Sequence, residues 1–331
     1  MSLKKTNPLK SIYYRYPNLS LLWGLFTLTL IMFSISLPGK FFTISNFSSI
    51  AFQLPELGIL TMAMAITMLS GGINLSIIAT ANLSGIVMAT IMTTMIQGAQ
   101  SPQGWIIALA IAAGLGAAVL VGLVNGIIIA FIGVSPILAT LGTMTLVNGI
   151  SILTTKGYVI SGLPEQMQFF GNEALLGIPV PFIIFALLAI AIGFWLKKMP
   201  SGLNNYLIGS NETATRYSGV NTKSVLLRTY MISGLLSGIA AIIMISRFNS
   251  ARAGYAESYL LITVLASVFG GVDPNGGFGK VGGLVLSLFI LQMVSSGLNL
   301  LGVSSFLAVT LWGILLIGIM IVQKYQKKQV A

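Results

Sequence analysis

The fold is decided by the stretch LGILTMAMAITMLSGGINLSIIATANLSGIVMATIMTTMI, which runs from Leu57 to Ile96 without a charged residue. It is part of a longer uncharged segment, residues 57–155, between Glu56 and Lys156. A helix needs about 20 apolar residues to cross a hydrocarbon core about 30 Å thick, so the segment is long enough for several crossings. The stretch therefore predicts a chain that crosses a membrane repeatedly.

The composition of the whole chain agrees with this prediction. Hydrophobic residues make up 56% of the 331 residues and charged residues only 7%, unlike a soluble domain. In lipid the backbone must satisfy its own hydrogen bonds, which leaves helices or closed barrels, and the short alternating pattern of barrel strands is missing. The predicted fold class is all-α, a polytopic membrane protein with a single transmembrane domain over residues 1–331.

Uncharged apolar runs predict about ten transmembrane segments, with eight as the lower limit. The run 258–270 is too short to cross comfortably, which indicates a re-entrant or broken helix. Glycine pairs interrupt the apolar pattern in both halves, as expected of discontinuous helices. The predicted segments are 19–37, 50–70, 74–96, 105–132, 136–154, 177–196, 226–246, 258–270, 281–297 and 304–322. The predicted helix breaks are Gly71, Gly72, Gly270, Gly271, Gly276 and Gly277.

Basic residues predict the orientation of the chain. Four precede the first apolar run and three follow the last one. Because Lys and Arg are enriched in cytoplasmic segments, we predict a cytoplasmic N-terminal segment 1–18, a cytoplasmic loop 197–225 and a cytoplasmic C-terminus. The net charge of +11 is explained by this asymmetry and does not indicate a nucleic-acid partner.

Residue types exclude or disfavour several kinds of active site. The chain has no cysteine and no histidine, which excludes disulfides, thiol nucleophiles and Cys/His metal sites. It lacks a Gly-x-x-x-x-Gly-Lys-Ser/Thr phosphate loop, so we expect no nucleotide and no other cofactor on this chain. Its six acidic residues are expected at the edges of the predicted segments. An enzyme is therefore disfavoured, as is an ion-coupled transporter, which usually has a titratable residue within the membrane.

Uncharged polar side chains recur inside the predicted segments. Amides and hydroxyls suit a path for a neutral, hydroxyl-rich solute, because they exchange hydrogen bonds without holding the solute by charge. The same residue types also join helices in membranes, at about 0.6 kcal/mol per hydrogen bond, and the sequence leaves this alternative open. The candidate path residues are Asn74, Ser76, Asn82, Asn125, Asn148, Gln292 and Asn299.

Four motifs resemble those of one family of membrane proteins. IGSNETATRYSGVNTKSVLLRTYMISGLLSGIAA, from Ile208, is similar to the coupling loop and following span of permease subunits of ATP-binding-cassette importers for ribose, xylose, galactose and similar monosaccharides. GGINLSIIATANLSGIVMA, GVSPILATLGTMTLVNGI and SSGLNLLGVSSF resemble three further segments of that family, in the same order. Asn74 stands where the family usually has an acidic residue, which removes a charge but keeps a hydrogen-bonding side chain.

The resemblance implies a transport subunit without enzymatic activity. Its implied partners are nucleotide-binding ATPase subunits that hold ATP and Mg²⁺, an extracytoplasmic sugar-binding protein, a second permease copy or a paralogue, and the lipid bilayer. The implied location is the bacterial cytoplasmic (inner) membrane, and the implied substrate is a simple sugar. A furanosyl quorum-sensing signal or a polyol is the alternative substrate, and an ion-coupled secondary transporter is the alternative class.

The resemblance also gives a role to the polar run GSNETATRYSGVNTK, residues 209–223. Asn211 suits the N-cap of a short helix and Gly219 suits its end, and such a helix could contact the ATPase. A solvated connector between two spans is the alternative. The predicted coupling residues are Gly209, Asn211, Glu212, Ala214, Arg216 and Gly219.

Overall fold

The computed structural model describes residues 17–96 and 104–330. The predicted N-terminal segment 1–18 therefore lies outside the described residues, except for its last two positions. Within the described ranges, thirteen α-helices carry nearly all of the regular structure. Four two-residue strands form two antiparallel pairs, β1 with β4 and β2 with β3. The predicted all-α class is confirmed.

The elements follow the chain in a simple order. They are α1 (Pro17–Ser36), α2 (Ile44–Leu69), α3 (Ile77–Ile96), α4 (Gly104–Ile127) with a π-helical turn (Ile128–Ile132), α5 (Pro136–Thr155), β1 (Ile160–Ser161), α6 (Glu165–Asn172), β2 (Ala174–Leu175), β3 (Ile178–Pro179), α7 (Val180–Lys198), α8 (Pro200–Ser210), α9 (Glu212–Tyr217), α10 (Thr222–Phe248), β4 (Ser250–Ala251), α11 (Tyr259–Phe269), α12 (Val281–Leu300) and α13 (Ser305–Val330).

Ten apolar helices correspond to the ten predicted segments. Among the described residues, seven are long and apolar enough to cross a membrane, namely α2, α3, α4, α5, α7, α10 and α12. Shorter apolar stretches occur in α1, α11 and α13. The eleven-residue α11 is the short helix expected at 258–270. The main difference at a helix start is in α2, which begins at Ile44 rather than near residue 50.

Helices α2 and α10 lie at the centre of the bundle. α2 is buried without interruption from Leu54 to Leu69, and α10 packs against α2, α3, α4 and α6. Glycine permits the close approach of α10 to α4, because a Cβ added at Gly122 or Gly234 would lie 2.4 Å from a backbone oxygen of the facing helix. Such close packing drives helix association where lipid removes the hydrophobic effect.

The two ends of the bundle carry different elements. One end, called the α9 end, holds α8, α9, the connection from α2 to α3 and the loop 270–280. The opposite end holds α6, the four strands and the segment from α10 to α11. The predicted loop 197–225 is therefore mostly helical, since α8 and α9 occupy it.

Candidate functional site

A short, solvent-facing helix, α9, stands at one end of the bundle. Asn211 caps it, since its Oδ1 accepts a hydrogen bond from the Ala214 amide at 2.9 Å, as the sequence predicts. Gly219 follows the helix with φ 84°, a left-handed value that glycine adopts without strain. Glu212, Ala214 and Arg216 are exposed. The segment is a capped helix whose side chains are available to a partner.

Helix α8 anchors α9 to the bundle. The buried Asn205 side chain donates to the Ile66 carbonyl at 2.8 Å and accepts from Thr229 Oγ1 at 3.0 Å. It therefore joins α8 to both central helices, α2 and α10. The Tyr206 hydroxyl donates to the Gly279 carbonyl at 3.1 Å, which ties α8 to the loop 270–280 as well. Helix α8 is thus hydrogen-bonded to all three of these elements.

Glycines from three segments meet where α8 ends. A Cβ added at Gly209 would lie 2.0 Å from the Leu69 oxygen, and one added at Gly276 would lie 2.7 Å from the Gly209 Cα and from the Gly71 nitrogen. The Gly277 amide donates to the Leu69 carbonyl at 3.0 Å. This contact of Gly71, Gly209, Gly276 and Gly277 is the glycine junction. It joins three predicted break glycines to a predicted coupling residue, and a Cβ at Gly209, Gly276 or Gly277 would overlap neighbouring atoms.

The other three predicted break glycines pack outside the junction. A Cβ at Gly72 would lie 2.4 Å from the Tyr230 hydroxyl oxygen, and one at Gly270 would lie 2.7 Å from the Leu284 Cα. Gly271 has φ 86° just after α11 ends. Gly71 and Gly72 thus separate α2 from α3, and Gly270 and Gly271 separate α11 from α12, as the sequence predicts.

Three predicted path residues, Asn74, Ser76 and Asn125, belong to one buried hydrogen-bond network. Thr143 donates to Asn125 at 2.6 Å, and Asn125 donates to Ser76 at 2.8 Å. Ser76 donates to Asn74 at 2.7 Å, and Asn74 donates to Ser233 at 2.9 Å. All five side chains are less than a tenth exposed. In this conformation the network joins α4, α5 and α10 to the connection between α2 and α3, which favours the helix-joining alternative for these residues.

The other four predicted path residues are dispersed. Asn82 and Gln292 are buried and donate to a backbone carbonyl and to a glutamine side chain of neighbouring segments, each at 3.1 Å. Asn148 is partly exposed on α5, and Asn299 is exposed near the end of α12. The structure does not bring these four side chains together.

One acidic side chain lies deep in the bundle, and the expectation that all six lie at segment edges is wrong. Glu56 is 1% exposed at the middle of the 26-residue α2. Its Oε1 lies 2.8 Å from Arg247 Nη1 and accepts a 2.8 Å hydrogen bond from the Tyr259 hydroxyl. Arg247 lies in the last turn of α10 and Tyr259 begins α11, so the carboxylate joins three helices. The early start of α2 at Ile44 places Glu56 there.

A family described as "branched-chain amino acid transport system / permease component" matches residues 46–322. The chain belongs to this family. The ribose import permease protein RbsC of Bacillus subtilis is 36% identical to this permease over 296 residues, 89% of this chain and 88% of RbsC. RbsC of Escherichia coli K12 is 34% identical over 283 residues, 84% and 85% of the two chains.

A second kind of relative has a different named substrate. The autoinducer 2 import system permease protein LsrD of Yersinia enterocolitica is 32% identical to this permease over 271 residues, 80% of this chain and 79% of LsrD. No solved structure matches the chain. Family membership and the seven long apolar helices together establish a polytopic membrane permease.

Several residues that hold the permease together were not identified from the sequence. They are Asn205, Thr143, Ser233, Arg247 and Tyr259. Their partners lie far along the chain: Asn74 and Ser233, for example, are 159 residues apart. A signal for Glu56 did exist, because Thr43 is a suitable N-cap and residues 41–55 carry no charge. Those two features predict a helix that begins well before residue 50.

Proposed function

We propose that the chain is the transmembrane permease subunit of an ATP-driven importer for a simple sugar delivered by an extracytoplasmic binding protein. The observation that carries the proposal is the exposed helix α9, joined through α8 and the glycine junction to both glycine-rich breaks. A soluble partner that pushes α9 would move these segments as rigid bodies. The relatives named as ribose import permeases support the substrate class.

The partners follow from this proposal. Nucleotide-binding ATPase subunits would contact α9 and would hold ATP and Mg²⁺, while this chain itself holds no cofactor. The sugar-binding protein would dock at the opposite end, and a second permease copy or a paralogue would complete the path. In the bacterial cytoplasmic (inner) membrane, the α9 end and both termini would face the cytoplasm. The exposed Lys197 and Lys198 at the end of α7 support this orientation.

The exposed side of α5 is the best place on this chain for the path. Gly142, Thr145 and Gly149 are exposed there, Asn148 is partly exposed, and a Cβ on either glycine would meet nothing within 4 Å. Lipid cannot replace the hydrogen bonds that an amide makes with water, so an amide facing lipid costs free energy. We therefore propose that this side faces the sugar and the second permease copy.

Reporter fusions test the orientation. Fusions at Ser201 and Val330 should both report the cytoplasm, and a fusion at Gln166 should report the outside. The reason is that one apolar helix, α7, separates Gln166 from Ser201, and four apolar helices, α10 to α13, separate Ser201 from Val330. A cytoplasmic signal from Gln166 would contradict the proposed orientation.

A bulky side chain on α5 tests the path. Asn148→Trp should reduce sugar uptake at least tenfold while the amount of permease in the membrane stays the same, because tryptophan would fill space that the sugar needs. The control is Leu187→Trp on α7, where the native leucine is already exposed and apolar. Uptake by Asn148→Trp equal to the control would remove this side of α5 from the path.

A charge on α9 tests the ATPase contact. Ala214→Arg should abolish pull-down of the ATPase and lower ATP hydrolysis and uptake together, because Ala214 is small and exposed and a long side chain there would prevent close seating. The helix itself should persist, since Asn211 bonds the backbone amide of residue 214. Gly219→Val should act in the same direction, since φ 84° strains a β-branched residue. Wild-type pull-down by both variants would make α9 a solvated connector.

Reconstitution tests the function as a whole. In liposomes with the ATPase and a sugar-loaded receptor, we expect uptake of ribose that depends on ATP. Uptake by the permease alone, driven by a cation gradient, would instead indicate a secondary transporter. This outcome is worth testing because Glu56 is an ionisable residue within α2, as ion-coupled transporters usually have within a span. Because LsrD is similar over most of this chain, an autoinducer 2 type furanosyl signal is the second substrate to assay.

A further inference from the structure

The ion pair of Glu56 and Arg247, with the Tyr259 hydroxyl, has no part in the coupling mechanism proposed above. A buried ion pair is poor evidence for stabilisation, because well-packed apolar residues often stabilise as much. Charged residues within membrane spans more often mark functional sites. The second carboxylate oxygen, Glu56 Oε2, is buried and accepts no hydrogen bond from any residue that the structure describes. This incomplete pairing suits a contact that opens and closes.

One side of this cluster is held firmly. The end of α10 is fixed to α6, because Asn172 donates to the Ser246 carbonyl at 3.1 Å and Ser246 donates to the Met167 carbonyl. A Cβ added at Gly171 would lie 2.6 Å from the backbone nitrogen of Arg247, so α6 and α10 are in backbone contact. Glu56 is fixed by the packing of α2 at the centre of the bundle.

The other side is a segment that folds back into the bundle. This re-entrant segment, Asn249–Ser258, connects α10 to α11, and its Tyr255 carbonyl accepts a hydrogen bond from Asn82 at 3.1 Å. Asn249 and Ala256 have φ values of 49° and 55°, which are unfavourable for side chains. The segment is held by β4, by the Asn82 bond and by the apolar packing of Ala251, Ala253 and Tyr255 against buried residues of the bundle. At its far end it is held by the Tyr259 contact to Glu56.

The same elements reach the glycine junction. α11 runs from Tyr259 to Phe269 and continues into the loop that carries Gly276 and Gly277. From Glu56, α2 continues to Leu69, whose carbonyl accepts a hydrogen bond from the Gly277 amide. A displacement at the α9 end therefore acts on both helices that meet at Glu56.

We propose that Glu56 is the positioning residue of a gate at the end opposite α9. Its carboxylate holds Arg247 and Tyr259, and through Tyr259 it keeps the re-entrant segment folded into the bundle until movement at the glycine junction separates α2 from α11. This proposal rests on the proposed function, because the movement that opens the gate is driven by the ATPase.

Removal of the charges tests the gate in the complete importer. Glu56→Leu combined with Arg247→Met leaves no unpaired charge, so the double variant should fold even if Glu56→Gln alone does not. We expect it to hydrolyse ATP at least fivefold faster than wild type without loaded receptor, and to take up less sugar, while it still binds the ATPase. Tyr259→Phe should also raise ATP hydrolysis without loaded receptor and lower sugar uptake. Receptor-dependent hydrolysis at the wild-type level in both would overturn the gate.

Engineered cysteines test the gate without ATPase or sugar. The chain has no native cysteine, and Ser161 of β1 pairs with Ser250 of β4, at the roughly 4.5–5.5 Å Cα separation that a disulfide accepts. Ser161→Cys with Ser250→Cys should cross-link readily, and at least threefold less in the double-variant background. The matched control is Leu175→Cys with Ile178→Cys, the pair between β2 and β3, which should cross-link equally in both backgrounds.

The outcomes separate the gate from the proposed function. Equal cross-linking of the 161–250 pair in both backgrounds would overturn the gate, even if sugar uptake is confirmed. Reduced cross-linking supports the gate even if no sugar is transported. In the active importer, oxidation of the 161–250 pair should stop uptake reversibly, whereas oxidation of the 175–178 pair should not.

Discussion

Replacement of Gly209 by alanine is expected to abolish sugar uptake by the reconstituted importer, together with the stimulation of ATP hydrolysis by loaded receptor. The added Cβ would lie 2.0 Å from the Leu69 oxygen and 2.4 Å from the Gly277 nitrogen. Both are backbone atoms, so no side-chain rotation relieves the overlap, and α8 must move away from the junction. We expect the chain still to insert, because α8 is not one of the seven long apolar helices.

The control for this prediction is the same substitution at an open helical glycine. Gly116→Ala on α4 adds a Cβ that meets nothing within 4 Å, and alanine favours a helix over glycine by about 1 kcal/mol. Uptake should therefore remain at the wild-type level. If Gly209→Ala also transports sugar normally with normal ATPase stimulation, the glycine junction does not transmit the movement of α9.

Replacement of Asn74 by leucine is expected to lower the free energy of unfolding by about 2 kcal/mol, within the roughly 1–3 kcal/mol that an unpaired buried polar group costs. Asn74 Oδ1 accepts from both the Ser76 amide and the Ser76 hydroxyl, at 3.1 and 2.7 Å. Leucine would leave both donors buried without this acceptor. The midpoint of thermal unfolding in detergent measures the effect.

A surface hydroxyl gives the control for Asn74. Thr154→Val on α5 removes an exposed hydroxyl that bonds only the Ile150 carbonyl of its own helix, and it should leave the midpoint unchanged. If Asn74→Leu also unfolds at the wild-type midpoint but transports no sugar, Asn74 belongs to the substrate path and not to helix packing. A lower midpoint places it in packing.

Local rules were sufficient for the short helix α9. Asn211 and Gly219 act through hydrogen bonds and dihedral angles within a few residues of themselves, so the sequence predicts their roles as cap and terminator correctly. Helix α8 was not predicted from the sequence, because most of its residues are weak helix formers. Its strongest local signal is Pro200 in the first turn, and its stability comes from the distant bonds of Asn205.

The candidate path residues show what local sequence patterns do not predict, namely which asparagines are buried. Asn74, Asn125 and Asn148 are the same residue type in apolar surroundings, and the sequence offers no means of separating them. The structure buries Asn74 and Asn125 in a network and leaves Asn148 partly exposed. Which way an amide faces depends on the rotation of its helix against neighbours from other parts of the chain.

The sequence by itself determined that the chain lies in lipid, that its class is helical, and the approximate positions of ten apolar helices and of the breaks between them. The reason is that lipid imposes a length of about 20 residues on every crossing, whatever its neighbours are. Only the tertiary structure decided that Gly71, Gly209 and Gly276 share one contact and that Glu56 meets Arg247 toward the end of the bundle opposite α9. These contacts join positions more than sixty residues apart, and their geometry is fixed by the packing of α2 and α10 against the other helices, which no local pattern records.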